Sequence, residues 1–417
     1  MKTGLTAASI FSGMGGFCEG VHLAGWSVLS AVEKDPFACV NYRLNFPSIG
    51  LFEGDIADFL PASRKTKADQ LDTLVGADSV DLLFGGPPCQ GYSQIGPRDV
   101  GDPRNEMYLH ALRLAEVLRP RYILLENVPN MLMMRRGLFR DRIIAALKRA
   151  GYDNYVIRTL DASKFGVPQA RKRVFIAAAK SKEVSVPLEH AFDLTCASLT
   201  EKLVSVDQAI DDLPKEIVES GEVIPYPSSA RPSSFQREMR LGCTGKLYTR
   251  SLKRAMYRNS GDSVTNLHNH HTKDIQERRL RLIKLLKPGK KADSLPKDVW
   301  DNARPEKWRR FNGAVPAHTL MAQMHRDLSE WVHPRWHRWI TVREALRLQS
   351  FHDGFVLRSS EWQQLKQVGN AVPPLLARIP ALALRLAEAM QEGEELPFQP
   401  KKGQGSLFAH RAHSGGR

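Results

Sequence analysis

Along the first 180 residues, short apolar runs alternate with amphipathic stretches. Thr6–Ile10 predicts a strand that runs into a glycine turn, and Cys18–Ala24 predicts a helix. Ser27–Val32 and Phe37–Phe46 repeat the pair as strand and helix. Val80–Phe84 and Arg121–Leu125 are further strands, with an apolar periodic helix near Tyr108–Leu118 between them, and Arg173–Ala178 is a later strand. Strands separated by helices mean βαβ units, so the pattern predicts an α/β fold built on a mostly parallel, doubly wound sheet. Residues 186–330 lose this rhythm and are rich in Pro, Ser and Arg, which predicts a second domain of irregular structure. Thr341, Val342, Arg343 and Glu344 have the form of a capping box that opens a short helix through Leu348. Pro374–Glu392 predicts another helix, and the tail after Pro400 is expected to be disordered.

A length of 417 residues fits two or three domains. The 42% hydrophobic and 25% charged content is that of a globular protein and excludes a collagen, a largely disordered chain or a membrane bundle. Apolar runs such as Tyr122–Leu125 and Val174–Ala179 are too short to cross a bilayer, and the first residues lack the sustained apolar core of a secretion signal. Charge changes the picture more. The net charge is +15, yet residues 181–230 hold 3 basic and 10 acidic residues, whereas residues 231–311 hold 21 basic and 8 acidic. A one-sided block of that length, interleaved with Phe235, Tyr248, Tyr257, Trp300 and Trp308, points toward nucleic acid. The five cysteines, Cys18, Cys39, Cys89, Cys196 and Cys243, are odd in number and widely spaced, which argues against a disulfide framework and for a reducing cytoplasm.

In an open parallel sheet, ligands bind beyond the carboxyl ends of the strands. The first strand delivers Phe11, Ser12, Gly13, Met14, Gly15, Gly16 and Phe17 there, a loop whose glycines allow a sharp turn and a close backbone approach. The second delivers Glu33, about 20 residues after the loop, a spacing that suits an acceptor for ribose hydroxyls. Asp55 is placed to contact an adenine amino group. These three features argue for an adenosine-containing cofactor without choosing between NAD and S-adenosylmethionine. The fourth strand ends in Gly85, Gly86, Pro87, Pro88, Cys89, Gln90, Gly91, Tyr92 and Ser93, where two prolines present a thiol at a rigid loop tip. The fifth ends in Glu126, a carboxylate beside an apolar strand end, where a raised pKa can hold a proton. Gln169, Arg171 and Arg173 alternate on the approach to a later strand and would share one face.

In that order, Phe11–Phe17, Glu33, Asp55, Gly86–Ser93, Glu126–Val128, Gln169–Arg173, Arg343–Gln349 and Gly369–Pro374 resemble the DNA cytosine-5 methyltransferases. The resemblance covers residues 6–180 and about 333–392, and the Pro-Cys-Gln, Glu-Asn-Val and Gln-x-Arg-x-Arg elements in sequence are highly specific. It implies a Rossmann-like, S-adenosylmethionine-dependent catalytic domain over 1–185. A DNA-binding target-recognition domain is inserted over 186–352, the chain returns to the catalytic domain over 353–395, and a tail follows over 396–417. It further implies that Phe11, Ser12, Gly13, Gly15, Gly16, Glu33, Asp55, Ile56, Pro88, Asn370 and Val372 hold the cofactor, and that Gln90, Ser93, Gln169 and the 231–311 block contact DNA. Cys89 would add as a thiolate to C6 of cytosine, helped by nearby cations because a free thiol of pKa about 8.5 is mostly protonated. Glu126 would relieve charge at N3, Arg173 would contact O2, and Arg171 would hold the cysteine loop. Because a thiol cannot reach C6 inside a stacked duplex, the base must rotate out.

The resemblance implies double-stranded DNA as partner, a bacterial or phage cytoplasmic setting, a monomer, and a cognate restriction endonuclease as a further partner. An RNA cytosine methyltransferase on the same scaffold is the alternative; such relatives usually carry a Cys-Phe-Thr element after the recognition region, and none occurs here. His268, Asn269, His270 and His271 lack a companion cluster at ligand spacing and read as a polar loop with no metal. Trp331, His333, Trp336, His337 and Trp339 read as packing, with Arg335 and Arg338 as phosphate contacts.

Overall fold

The computed structural model describes residues 4–59, 80–88, 107–228, 231–249, 266–300, 308–324 and 330–398. Its centre is a seven-stranded sheet. The strands are β1 (Thr6–Ile10), β2 (Ser27–Glu33), β3 (Gly50–Glu53), β4 (Leu82–Gly85), β5 (Tyr122–Asn127), β6 (Asn154–Asp161) and, after the two-residue β7 (Gln169–Ala170), β8 (Lys172–Ala179). The sheet order is β3-β2-β1-β4-β5-β8-β6; all neighbours are parallel except β8, which runs antiparallel to both β5 and β6. The order reverses between β1 and β4, which opens a crevice at the carboxyl ends of those strands.

Period-2 alternation divides the core into two layers. Ala7, Leu82, Tyr122, Leu124, Phe175 and Ala177 face one side, and Ala8, Leu83, Ile123, Leu125, Ile176 and Ala178 face the other. Helices cover both sides. On the second side lie α3 (Met107–Leu118) and α4 (Leu138–Arg149), which bury Leu112, Leu114, Ile143 and Leu147. On the first side lie α1 (Gly16–Leu23), α5 (Leu188–Leu199) and the last helix, α11 (Pro374–Glu392). The α1–α11 contact is close because Gly20 has no side chain: a Cβ there would lie 2.4 Å from that of Ala377. Trp26 Nε1 donates to Ala381 O at 3.1 Å, and Tyr122 Oη donates to Glu388 Oε2 at 2.7 Å, so the two ends of the chain share one layer. Between β2 and β3, α2 (Pro36–Asn45) starts on Asp35, whose carboxylate accepts from Phe37 N, with Pro36 at the first helical position.

Packing against the sheet continues past residue 186. Helix α5 lies against α11 and β6, and the short α6 (Val206–Ile210) and α7 (Ser234–Met239) bury Val206, Phe235 and Met239 in the same apolar cluster as the sheet face. Only a smaller set forms a satellite core: Ile283 and Leu286 from α8 (Glu277–Leu285) and its exit, with Ala292, Leu295, Trp308, Val332 and Trp339. The two-residue strands β9 (Ile224–Pro225) and β10 (Asn266–Leu267) pair antiparallel with each other, and in the satellite β11 (Trp308–Arg310) pairs parallel with β13 (Glu330–Val332). Of the aromatic residues that interleave the basic block, Phe235, Tyr248 and Trp308 are buried, and Trp300 packs against Trp308 with ring centroids 4.6 Å apart and the rings tilted by 41°. They are packing, not a stacking surface for bases; Tyr257 lies outside the described residues, as does the tail from 399 onward.

The capping box of α9 (Val342–Leu348) forms as expected: Thr341 Oγ1 accepts from Glu344 N, and Glu344 Oε2 accepts from Thr341 N at 2.8 Å. Every residue of this helix is buried, including Arg343, Glu344 and Arg347. Arg347 spans Asp353 (2.6 and 2.7 Å) and Asp212 (2.8 Å), and Arg343 donates to the carbonyls of His268, His352 and Phe355. Arg338, expected at a phosphate, makes a two-pronged pair with Glu344 instead (2.7 and 2.9 Å). Arg335 pairs with Asp207 and Asp211. The segment His268–His271 is buried, not a solvent loop: Asn269 exchanges hydrogen bonds with Leu357, and His270 Nε2 bonds Pro214 O at 2.9 Å. Among the described residues no group of His, Cys, Asp or Glu could hold a metal ion, and no described helix is long and apolar enough to cross a membrane.

Candidate active site

The crevice is built by the ends of five parallel strands. After β1 the backbone turns sharply: Phe11, Gly13 and Gly15 take φ of 53°, 56° and 102°. Gly15 and Gly16 are required by crowding, since Cβ atoms there would lie 2.1 Å from the Phe46 ring and 2.5 Å from Val372 O. Gly13 is different. Nothing lies within 4 Å of where its Cβ would be, so the loop opens on that side into free space. Its N–H donates to Glu33 Oε2 at 2.7 Å, while Glu33 Oε1 accepts from Lys34 N and Asp35 N. Oε2 thus keeps a further acceptor position at the mouth of the loop. Ser12 is buried and turned inward to Ser9 Oγ and Val32 O. Asp55 accepts from Ala57 N and from Lys34 Nζ at 3.1 Å, and these partners hold its carboxyl below the usual range against a smaller opposing effect of burial. Ile56 is a core residue of the second layer.

Val372 reaches this crevice from the far end of the sequence, two residues after Asn370. Asn370 ends α10 (Glu361–Asn370), and Val372 O meets Gly16 directly. Arg171 fixes the approach. Fully buried, it donates to Leu320 O (2.8 Å), Gly369 O (2.9 Å) and Ala371 O (3.1 Å). Gln169 is buried as well, between Leu348 O, Gln349 Oε1 and Leu320 N. It was expected among the DNA contacts. With no exposed surface, it instead stitches β7 to the segment at 317–320, which pairs with it as β12 (Ala317–His318). The alternation that would place Gln169, Arg171 and Arg173 on one face fails because the strand is broken at Arg171 between β7 and β8.

The opposite wall carries Glu126. Its carboxylate Oε1 lies 3.0 Å from Arg173 Nε, and Oε2 lies 3.0 Å from where a Gly86 Cβ would be. Glu126 is buried beside a small cavity lined by Tyr108, Leu125, Met131, Ile143 and Ile176. That apolar surround raises its pKa above the ordinary carboxylate value, against the opposing pull of Arg173 and then Arg171. Next to it, Asn127 Nδ2 donates to Pro87 O at 3.2 Å and its Oδ1 accepts from Val128 N. Asn127 therefore holds Pro87, two residues before Cys89, a role that spacing alone does not assign to it. Pro88 is half-buried at the last described position; Cys89, Gln90 and Ser93 lie outside the described residues. By contrast Cys18 and Cys39 are fully buried, and burial pushes both thiols up to about 11.

A glycine loop opening at a strand-order reversal, an acidic acceptor beside it and a buried carboxylic group two strands away define an enzyme of the Rossmann-like methyltransferase fold. The chain matches the C-5 cytosine-specific DNA methylase family over residues 5–385 and belongs to it; it is a DNA (cytosine-5) methyltransferase. It is similar to the type II methyltransferase M.AgeI of Thalassovita gelatinovora (31% identical, covering 91% of this chain and 98% of the relative). It is also similar to M.DdeI of Desulfomicrobium norvegicum (33% identical, covering 91% and 87%). In fold it resembles the crystal structure of a prophage-encoded DNA modification methyltransferase of E. coli, with a TM-score of 0.71 and 24% identity over 91% of this chain and 98% of that one.

Proposed function

We propose that the protein transfers a methyl group from S-adenosylmethionine to C5 of a flipped-out cytosine within a specific double-stranded DNA sequence, through a transient bond between Cys89 and C6. The observation that supports this most directly is Glu126: a buried carboxyl with a raised pKa, 3.0 Å from Arg173, next to the residue that holds Pro87. Cytosine C5 is a poor nucleophile. Addition of the Cys89 thiolate to C6 places electron density at C5 and negative charge on the ring near N3 and O2. Glu126 can then share its proton at N3, and the Arg173 guanidinium can face O2. After C5 has taken the methyl group, loss of the C5 proton to a base and expulsion of the thiolate restore the aromatic ring.

The crevice fits an adenosine-bearing donor: open space at Gly13, an acceptor position on Glu33, and Asp55 beyond it. When bound, S-adenosylmethionine supplies an electrophilic methyl group. Gly13, Gly15, Gly16, Glu33, Asp55, Asn370 and Val372 would position it. The basic block at 231–311 would contact phosphates and offset the cost of extruding the base, about a few kcal/mol. The type II relatives named above support a role in restriction–modification; in that role the chain would act as a monomer in the cytoplasm, alongside an endonuclease for the same site. Incubating the protein with DNA containing 5-fluorocytosine and S-adenosylmethionine should give a covalent complex, and Cys89→Ala should bind DNA but yield neither complex nor methylation. Full methylation by Cys89→Ala would refute the reading. Bisulfite sequencing of DNA from an expressing host would identify the target.

A further inference from the structure

Helix α1 carries a single carboxylate, Glu19, in its first turn, and the glycine loop runs straight into that turn at Gly16. Glu19 is 2% exposed, on a helix whose other buried residues are apolar or glycine. Facing it is a residue from beyond α9: His352 Nε2 lies 3.2 Å from Glu19 Oε1. The other ring nitrogen, Nδ1, accepts from Gly354 N at 3.0 Å, so the neutral imidazole carries its proton on Nε2, the side that faces the carboxylate. The ring of Tyr248 packs against that imidazole with centroids 4.8 Å apart. Tyr248 is fully buried, and its phenol is pushed well above the ordinary value by burial first, then by the charge of Glu19 and a hydrogen bond to it.

Tyr248 does not come from the catalytic strands. It lies in the 231–311 block, at the end of a turn built on Glu238 of α7: the amides of Lys246, Leu247 and Tyr248 donate to that one carboxylate at 2.7, 2.6 and 2.6 Å. A Cβ on Gly245 would lie 2.5 Å from it, so the turn closes tightly around the group. Helix α7 is joined in turn to the residue after His352, since Asp353 N donates to Met239 O at 2.9 Å. A turn of the basic block, the segment after α9 and the first turn of α1 therefore meet at one buried carboxylate. Burying a carboxylate beside neutral donors costs free energy that an apolar residue would not. Glu19 stands three residues along the helix from Gly16, so what it fixes is the position of the glycine loop. We propose that Glu19 and Tyr248 are positioning residues for the methyl donor: with His352 they hold the start of α1, and so the Gly13–Gly16 loop, where the donor binds. This rests on the donor proposed above. It gives the inserted block a second task, because a segment of that block also sets the affinity of the site for its cofactor.

The test is binding of S-adenosylhomocysteine to the full chain, read by titration calorimetry, with thermal unfolding of each variant alongside. Tyr248→Phe keeps the ring and removes the hydroxyl. It should weaken binding about tenfold, the scale of one hydrogen bond to a charged group, and raise KM for S-adenosylmethionine by a similar factor with kcat within about twofold of the wild type. Glu19→Gln should do the same, and the double variant should be little weaker than either single one, because both remove one contact. Tyr122→Phe is the control: it breaks another buried tyrosine–carboxylate bond in the same layer, to Glu388, and should lower the melting temperature while leaving binding unchanged. Equal binding by the wild type and Tyr248→Phe, or an equal weakening in Tyr122→Phe, would overturn the inference and leave Tyr248 as packing. Losses that multiply in the double variant would overturn it as well. A wild type that does not bind the probe would overturn the proposed donor together with this inference, whereas equal binding by wild type and variants would overturn the inference alone.

Discussion

Two buried carboxylates, each against an arginine, have opposite fates in this molecule. Glu126 faces Arg173 through a single close contact and an apolar cavity, and its pKa is raised. Glu344 is also pushed upward by burial, but the two-pronged Arg338, His333 and His270 outweigh this and hold its carboxyl at about 2. Asp353, spanned by Arg347 and close to Arg343, is likewise depressed despite its burial. Arg–carboxylate proximity is thus no guide to function by itself. What separates chemistry from architecture is the number of compensating donors: an under-compensated group can exchange a proton, and an over-compensated one is locked.

The contrast can be broken in four places. Glu126→Gln should lower methyl transfer about 10²–10⁴-fold, as loss of a positioned acid does, with an unchanged melting temperature; a comparable loss of stability would move Glu126 to the architectural side. Arg347→Ala should do the reverse, destabilising the fold by about 3–5 kcal/mol in urea unfolding, because the buried Asp212 and Asp353 would lose their closest charged partner and keep only the longer ionic contacts of Arg240 and Arg343. Acid should act through the same knot. Burial pushes His270 down to about 4 and His333 to about 3 from 6.5, so between those limits the unfolded chain binds more protons than the folded one. Stability should therefore fall as pH drops below about 6.5, and Glu344 should add to the loss below 4.5, where the unfolded carboxyl protonates first. A melting temperature flat from pH 7 to 4 would contradict this. The smallest effect should be Thr341→Ala, about 1 kcal/mol for the lost helix cap, measured by the same unfolding experiment.

How much could be read from the chain follows the same division. Strands buried on both faces announce themselves as apolar runs, and Thr6–Ile10, Ser27–Glu33 and Tyr122–Asn127 were legible to within a residue or two. Helix α11 was legible at both ends. The edge strand β6 went unpredicted because its side chains are mostly half-buried, with Val156 and Leu160 the only buried apolar ones. Helix α4 is written only in the helical spacing of Phe139, Ile143, Ala146 and Leu147, and α5 stands beyond the point where the βαβ rhythm stops. In the site, the glycine loop, Glu33 and Glu126 could be named from spacing and strand ends alone. The true partners of Gln169 and Arg171 could not, because Leu320, Gln349, Gly369 and Ala371 lie 149 to 200 residues away.

The bond from Trp26 to Ala381 joins residues 355 apart in the sequence. During synthesis, one face of the central sheet must wait for almost the entire polypeptide to leave the ribosome before its covering helix arrives. Until then Val21 and Tyr122 lack the helix that completes their cover, and nascent chains halted before residue 374 should depend on chaperones to escape aggregation.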